Sequence, residues 1–342
     1  MQKKDIKNFT LNEFQEEVKN LGEKKYRATQ LFDLLYNKGI EDFRDMLSLP
    51  ASFRDSLQEN YYISKIDLAK LAKSKDQTEK YLFKLEDGNL IESVLIFSGK
   101  RVTECISSQI GCKYNCLFCE SGKKGFTRNL TVGEILNQVL FVKKKMKSNP
   151  NNIVFMGIGE PLDNYDNIVK AICILNSKDA FDIGARKITI STCGIIPAIK
   201  KLQERNWQIE LSVSLHAPEN KLRSYLMPVN NLYPLPDLIE ACKNYAEKTK
   251  RQITFEYILI KGVNDSLIYA DKLAKLIGGF NSKINLIVFN PASGSLIQAP
   301  GIYQVKSFKN KLAARGIPTN IRISKGDDIS AACGQLKSLH LK

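Results

Sequence analysis

The chain has 342 residues, of which 43% are hydrophobic and 25% charged. That is ordinary for a folded protein and enough for two domains, or for one large α/β barrel with an appendage. No run of 18 apolar residues offers a membrane-spanning helix, and Met1-Gln2-Lys3-Lys4-Asp5 lacks a signal-peptide core. A cytoplasmic protein with no membrane partner is therefore expected.

Lys and Arg total 51 against 36 Asp and Glu, a net charge of +15. Residues 1–100 hold 17 of each sign, whereas residues 101–342 hold 34 basic and 19 acidic side chains. An excess of this sign on one domain points to a polyanion, nucleic acid first. Lysine enrichment of a solvated surface gives the same arithmetic. The basic residues cluster at 120–150 (Lys123, Lys124, Arg128, Lys143, Lys144, Lys145 and Lys147) and at 301–342.

In chain order, apolar spacing near 3.6 predicts helices over Leu11–Leu21, Arg27–Asn37 and Phe53–Tyr61, with Gly39 and Pro50 as breaks. Lys80–Glu86, the turn Asp87-Gly88-Asn89 and Leu90–Phe97 then read as a β-hairpin. Strands follow at Val102–Ser107, Ile153–Met156, Lys187–Ile190, Ile209–Val213, Ile253–Ile260 and Ile284–Phe289. Helical patterns alternate with them at 131–147, 164–176, 195–205, 235–248, 265–278 and 303–315. This alternation predicts a parallel sheet, open or curled into a partial barrel. The expected division is a helical unit at 1–61, a hairpin connector at 62–100 and the α/β domain at 101–342.

Successive strands end in small or polar residues: Gly157-Ile-Gly159-Glu160-Pro161, Ser191-Thr192, Ser214-Leu215-His216 and Asn290-Pro291. In parallel α/β folds the ligand site lies at the carboxyl ends of the strands, where these residues would converge. Turn chemistry alone also places Gly and Pro there. Cysteine usage is uneven. In a reducing compartment eight cysteines read as core residues, ligands or reagents rather than disulfides. Cys112-Lys-Tyr-Asn-Cys116-Leu-Phe-Cys119 places three thiols within eight residues, just after the first barrel strand. Zinc normally takes four ligands, and no second pair or nearby His supplies the fourth. A 4Fe–4S cluster held by three cysteines leaves one iron open to a ligand. A zinc knuckle that borrows a distant Cys is the alternative.

Cys-x3-Cys-x2-Cys after the first strand of a partial barrel resembles the radical S-adenosylmethionine signature. The longer string Cys105-Ile-Ser-Ser-Gln-Ile-Gly-Cys112, with Met156–Leu162, Ser212–Ala217, Val263-Asn-Asp265, Asn285–Pro291 and Lys325–Leu336, resembles the RlmN/Cfr family of RNA adenosine methyltransferases. Ala331-Ala332-Cys333-Gly-Gln-Leu336 is its most specific part. The resemblance implies a partial (β/α)6 TIM-like radical SAM barrel with an N-terminal helical, RNA-binding domain and a β-hairpin connector. It implies a 4Fe–4S cluster on Cys112, Cys116 and Cys119, and S-adenosylmethionine held by Gly159, Glu160, Ser191, Ser214, Leu215, His216 and Asn290.

By the same resemblance Cys333 carries the methyl group as S-methylcysteine. Cys105 removes the ring proton and forms a transient disulfide with Cys333, and Glu92 acts as a proton acceptor. The implied substrates are an adenosine in the peptidyl-transferase region of 23S rRNA and one beside the anticodon of tRNA, methylated at C2. A reductant such as flavodoxin or ferredoxin serves the cluster, and the protein is a monomer. The alternatives are a C8 methylase that confers antibiotic resistance, a radical enzyme without the methyl-cysteine step, and a non-catalytic RNA-binding protein with a metal knuckle. Two positions depart from the family. Ile158 replaces a common methionine, and Glu120 stands where a small residue is usual, so a carboxylate is expected to alter the cluster's surroundings.

Overall fold

A computed structural model describes residues 3–123, 125–290 and 297–337 and the backbone of 339–340. Met1, Gln2, Lys124 and Pro291, each named above, lie outside the described residues. The first helix, α1 (Leu11–Asn20), begins where Thr10 accepts the Glu13 N–H and Glu13 accepts the Thr10 N–H in return, which satisfies two donors that a helix start leaves bare. The second expected helix has two parts: α2 (Tyr26–Phe32) and one widened turn at Asp33–Asn37, closed by Lys38 N–H on the Asp33 carbonyl (2.9 Å). Leu31, Phe32, Leu34, Leu35 and Tyr36 are all buried. An ordinary helix presents a narrower apolar stripe, and the widened turn brings all five to the core. Helix α3 (Ala51–Asn60) completes this unit.

One sheet then runs through the rest of the chain, ten of its strands adjacent in sequence order. These are β1 (Asp67–Lys73), β2 (Glu79–Lys84), β3 (Asn89–Ser98), β4 (Arg101–Cys105), β5 (Asn152–Phe155), β6 (Ile188–Thr192), β7 (Glu210–Ser214), β8 (Ile253–Leu259), β9 (Ser282–Val288) and β10 (Thr319–Arg322). An eleventh short strand, Leu339–His340, pairs antiparallel with the start of β3. Strands β1 to β4 are antiparallel and β4 to β10 parallel. Six helical crossovers join the parallel strands: α4 (Val132–Met146), α5 (Tyr165–Asn176), α6 (Ile196–Gln203), the pair α7 (Asn220–Leu226) and α8 (Leu235–Thr249), α9 (Leu267–Ile277), and α10 (Ile302–Ala314). This is the expected partial (β/α)6 barrel. Strand β10 pairs with β9 alone, so the barrel stays open.

Three elements were not expected. The hairpin is a three-stranded ribbon whose last strand pairs with β4, Val94 opposite Cys105, so the sheet runs unbroken across position 100. Strand β1, Asp-Leu-Ala-Lys-Leu-Ala-Lys, is an exposed edge whose Leu and Lys spacing carries no clean alternation; Lys70 and Lys73 suit an edge because charge deters further pairing. Strand β10 is four residues long, and α7 seven.

The N-terminal unit docks on the start of α4, itself capped by Thr131 and Glu134. Asn8 accepts the Gly133 N–H at 2.9 Å, and Lys7 Nζ donates to Asn137 (2.6 Å) and to the Ser64 carbonyl (2.9 Å). Burial pushes the Lys7 ammonium down to about 8. The basic cluster at 120–150 is largely consumed in such contacts. Lys143 donates to the Tyr36 carbonyl, Lys144 and Lys145 pair with Glu41 and Glu79, Arg128 bridges Asp87 and Glu134, and Lys123 pairs with Glu120. Lys143, Lys144, Lys145 and Arg128 thus fasten the accessory elements to the barrel, while Lys123 pairs locally. On α10, by contrast, Lys306 and Lys309 make no ion pair among the described residues, beside an 84% exposed Tyr303.

Candidate active site

The cysteine loop leaves the short strand Gln109–Gly111, which pairs with Phe126–Asn129. Gly111 has φ +77°, and a Cβ there would stand 1.9 Å from the Gly125 carbonyl oxygen, so this turn requires glycine. The Gly125 carbonyl instead accepts the Cys112 N–H at 3.1 Å. At the other end a Cβ on Gly122 would meet the Asn115 backbone at 2.8 Å. Between these glycines the loop is pinned by Cys119 N–H on the Cys116 carbonyl (3.0 Å) and Leu117 N–H on the Leu226 carbonyl (3.0 Å). Tyr114 and Lys113 both reach Asp163, at 3.1 and 2.7 Å.

Cys112, Cys116 and Cys119 line one cavity of about 150 Å³ at the carboxyl ends of the strands. Gly159, Glu160, Ser191, Ser214, His216 and Cys333 line it as well, so six strand-end or loop positions expected from sequence converge with the thiols. Burial pushes all three loop thiols up, Cys112 to about 12. Among the described residues no three His, Cys, Asp or Glu side chains gather as a single-ion site. Three thiols spread around one cavity fit a cuboidal cluster, in which each iron takes its own thiolate, better than one tetrahedral zinc.

The strand ends are built tightly. Gly159 has φ +103°, and a Cβ there would stand 2.5 Å from Gln109 Cβ. Glu160 is buried with both oxygens engaged, one accepting the Leu162 N–H (3.0 Å) and the other the Cys193 N–H (2.6 Å); burial raises its pKa despite these bonds. His216 adopts φ +57° and accepts the Ile258 N–H on Nδ1 at 3.0 Å. Its ring meets Phe118 edge-on at 4.6 Å, and burial drives its pKa down to about 3. This is a neutral imidazole with its Nδ1 lone pair occupied.

Two expected cofactor residues stand apart. Leu215 turns its side chain into the core, its N–H on the Glu256 carbonyl (3.0 Å) and its carbonyl accepting the Ala217 N–H (2.8 Å). Asn290 is half-buried just past β9, and its Nδ2 has no hydrogen bond among the described residues. Cys105 closes β4, buried in a small cluster with Val94, Ile158, Ala331 and Leu336. Burial, and then the neighbouring Cys333, push its thiol up to about 12. Arg322 places its guanidinium near Cys333, Glu256 and Cys105. A second cavity of about 810 Å³ continues down the barrel and shares Met156, Glu256, Ile287, Arg322 and Cys333 with the first. Glu92 lines neither cavity among the described residues. It lies buried at the foot of the Cys333 turn, paired with Lys80 at 3.0 Å.

Arg223 escaped the sequence reading. It is fully buried on α7 and donates to the carbonyls of Cys193 (2.7 Å) and Ser214 (3.0 Å) and to Asn230 Oδ1 (2.9 Å). One guanidinium thus ties the end of β7 to the turn after β6, beneath the cysteine loop. Its sequence context, Lys221-Leu-Arg223-Ser-Tyr, gives no signal of burial. Cys193 also lines the cavity, and Glu120 turns its carboxylate to Lys123 and Lys337.

Comparison with known proteins agrees with this architecture. Residues 106–272 match the Radical SAM superfamily, and residues 4–63 match the Ribosomal RNA large subunit methyltransferase N-terminal domain. A probable dual-specificity RNA methyltransferase RlmN of Clostridium novyi is 44% identical over 340 residues, with 99% of each chain covered. The dual-specificity RNA methyltransferase RlmN of Campylobacter lari is 45% identical over 354 residues, again with 99% of each covered. The crystal structure of a radical SAM methyltransferase from Sphaerobacter thermophilus superposes with a TM-score of 0.92 at 41% identity, covering 97% of this chain and 99% of that one. Likeness of this degree along the whole chain means that it belongs to the RlmN family within the radical SAM superfamily.

Proposed function

We propose that this enzyme methylates C2 of an adenosine in the peptidyl-transferase region of 23S rRNA and of the adenosine beside the anticodon of tRNA, with Cys333 as the methyl carrier. The observation that carries the reading is that Cys333 lines the same cavity as Cys112, Cys116, Cys119 and the strand ends, with Cys105 close by. Cys112, Cys116 and Cys119 would hold a 4Fe–4S cluster. Gly159, Glu160, Ser191, Ser214, Leu215, His216 and Asn290 would hold S-adenosylmethionine. When bound, the pair supplies a hydrogen-abstracting radical that the electrophilic C2 of adenine needs.

The chain's own residues do the rest. The Cys333 thiol gives up its proton and takes a methyl group as a thioether. The tight strand ends keep water and stray hydrogen donors from the reacting atoms. The methyl carbon on Cys333, having lost one hydrogen atom to the radical, bonds to C2, and the adduct would give up one electron to the bound cluster. Cys105 then takes the ring proton, and its sulfur attacks that of Cys333. The carbon–sulfur bond breaks as the disulfide forms and the carbon takes up a proton to become the methyl group, after which external thiols restore the pair. Glu92, the proton acceptor of the resemblance, enters through the Cys333 turn whose foot it holds.

The helical unit at 1–61 serves as an RNA-binding accessory, the ribbon at 62–100 as a connector, and 101–342 as the catalytic domain. Tyr303, Lys306 and Lys309 on α10 offer a stacking ring and unpaired cations to the RNA. A flavodoxin or ferredoxin supplies electrons, and the enzyme works as a cytoplasmic monomer. The RlmN identity of the relatives supports C2 over the C8 alternative. The test is nucleoside mass spectrometry after the cluster-loaded enzyme, S-adenosylmethionine and a reductant act on rRNA fragments and tRNA. 2-Methyladenosine that disappears in Cys333→Ala and Cys105→Ala supports the reading. 8-Methyladenosine, or product that survives in those variants, overturns it.

A further inference from the structure

The turn that carries Cys333 is short and irregular. Ser330 has φ +53° and Gly334 φ +80°. Its internal bonds are single turns, Ile329, Ser330 and Ala331 N–H closing on the Gly326 and Asp327 carbonyls and Ala332 and Gln335 bonding each other, with none to Cys333 itself among the described residues. Such a segment does not hold its own shape, so the contacts around it decide where the thiol stands. On the cluster side the Glu120 N–H donates to the Gly334 carbonyl at 2.7 Å and Ser121 Oγ to the Leu336 carbonyl at 2.9 Å. On the opposite side lies the antiparallel ribbon. Its β1–β2 turn anchors the start of the segment, Asp76 accepting the Gly326 N–H at 3.1 Å and Asp328 accepting the Lys75 N–H at 3.2 Å. Two of its strand residues reach closer to Cys333. Lys80 on β2 donates from Nζ to the Ser330 carbonyl at 3.1 Å, three residues before Cys333. The same Nζ pairs with Glu92 Oε1 on β3 at 3.0 Å. Glu92 Oε2 accepts the Lys337 N–H at 2.8 Å, four residues after Cys333.

We propose that Lys80 is a positioning residue: with Glu92 it forms a clasp that grips both ends of the turn and thereby sets the place of the Cys333 thiol. The ion pair is nearly dry, its side chains 16% and 6% exposed, so its geometry is not shared with competing water. Register puts the pair on the face that meets the turn. Lys80 stands opposite Val94, and Val94 opposite Cys105, and Val94, Cys105, Ala331 and Leu336 pack together. The clasp and the resting thiol Cys105 thus belong to one rigid ribbon, and closing the turn onto the ribbon brings the two thiols to a common wall. The catalytic consequence rests on the reading of Cys333 as methyl carrier; the mechanical claim does not.

Hydrogen exchange of the segment 326–337, followed by mass spectrometry in the full-length protein, tests it. Lys80→Met alone leaves Glu92 buried without its cation, so the decisive variant is Lys80→Met with Glu92→Gln, which removes both charges. The expected result is exchange about tenfold faster in 326–337 but unchanged in β2 and β3, with Lys80→Arg within about twofold of the wild type. In the loaded enzyme, with Glu92 intact, Lys80→Met lowers kcat on RNA and leaves KM unchanged, and Lys80→Arg restores kcat to within about twofold. Unaltered exchange in the double variant overturns the proposal. So does an equal rise in Lys80→Arg, or a rise spread through the whole ribbon. Exchange reads the turn without turnover, so a wild type that fails to methylate RNA would sink the functional reading while the clasp still stood or fell on its own result.

Discussion

Arg223→Met is the sharpest probe of how the site is held. The guanidinium makes three hydrogen bonds, to the Cys193 carbonyl, the Ser214 carbonyl and Asn230. Methionine fills much of the same space and makes none of them. Each buried acceptor left dry costs about 1–3 kcal/mol. Asn230 Nδ2 keeps its acceptors on Asn220 and Ser224, but its Oδ1 loses its donor along with the two carbonyls. Against this, removing a buried cation recovers part of its desolvation cost, which burial already expresses by lowering the Arg223 pKa. The net loss should be about 2–4 kcal/mol, or roughly 3–6 °C in a thermal melt followed by circular dichroism. Arg223→Lys, with a single ammonium for three acceptors, should fall between. Because the guanidinium also lies near Cys116, iron content per chain should fall in Arg223→Met. A melt within 2 °C of wild type and full iron would refute the claim that this side chain ties β6 to β7.

Three further outcomes follow from local geometry. Gly111→Ala forces a Cβ onto the Gly125 carbonyl and costs about 1–2 kcal/mol for the left-handed backbone alone, so iron bound per chain should drop while the circular dichroism spectrum is kept. His216 has its folded pKa lowered to about 3, so the unfolded chain takes the proton first. Stability from this group is full above pH 6.5 and is lost as pH falls from 6.5 towards 3. His216→Asn, which tolerates the positive φ, should flatten the fall of the urea midpoint between pH 6.5 and 4.5 by about one proton's worth, or ~1.4 kcal/mol per pH unit. Glu104 is raised to about 8 by burial, with one oxygen lacking a hydrogen bond. Its contribution is full below pH 4.5 and is lost as pH rises through 8. Glu104→Gln should therefore leave the urea midpoint nearly unchanged at pH 5 and raise it at pH 8.5, and an equal shift at both would refute the assignment.

Much of this was legible in the sequence because it rests on order and spacing. Strand and helix alternate six times, four of the strands end in small or polar residues, and a carboxyl end is a fixed place in such a fold, so Gly159, Ser191, Ser214 and His216 fall into one cavity with the Cys112–Cys119 loop. What was hidden depends on long-range pairing. Arg223 looks like any surface arginine until the carbonyls of β7 and of the turn after β6 close on it. Lys80 and Glu92 acquire their role only when a turn some 240 positions later settles on their ribbon. Charge misled for the same reason: Lys143, Lys144 and Lys145 read as an RNA-facing patch, yet Tyr36, Glu41 and Glu79 claim them. Glu120 likewise points its carboxylate at Lys123 and Lys337.

The central claim is that Cys333 carries the methyl group, and the mass of one peptide tests it most directly. In protein produced with its cluster and S-adenosylmethionine, trypsin should release Gly326–Lys337, whose single cysteine is Cys333, heavier by one methyl group located on sulfur by fragmentation. A bare thiol in iron-loaded protein supplied with S-adenosylmethionine would contradict the account and leave a radical enzyme that works without the methyl-cysteine step.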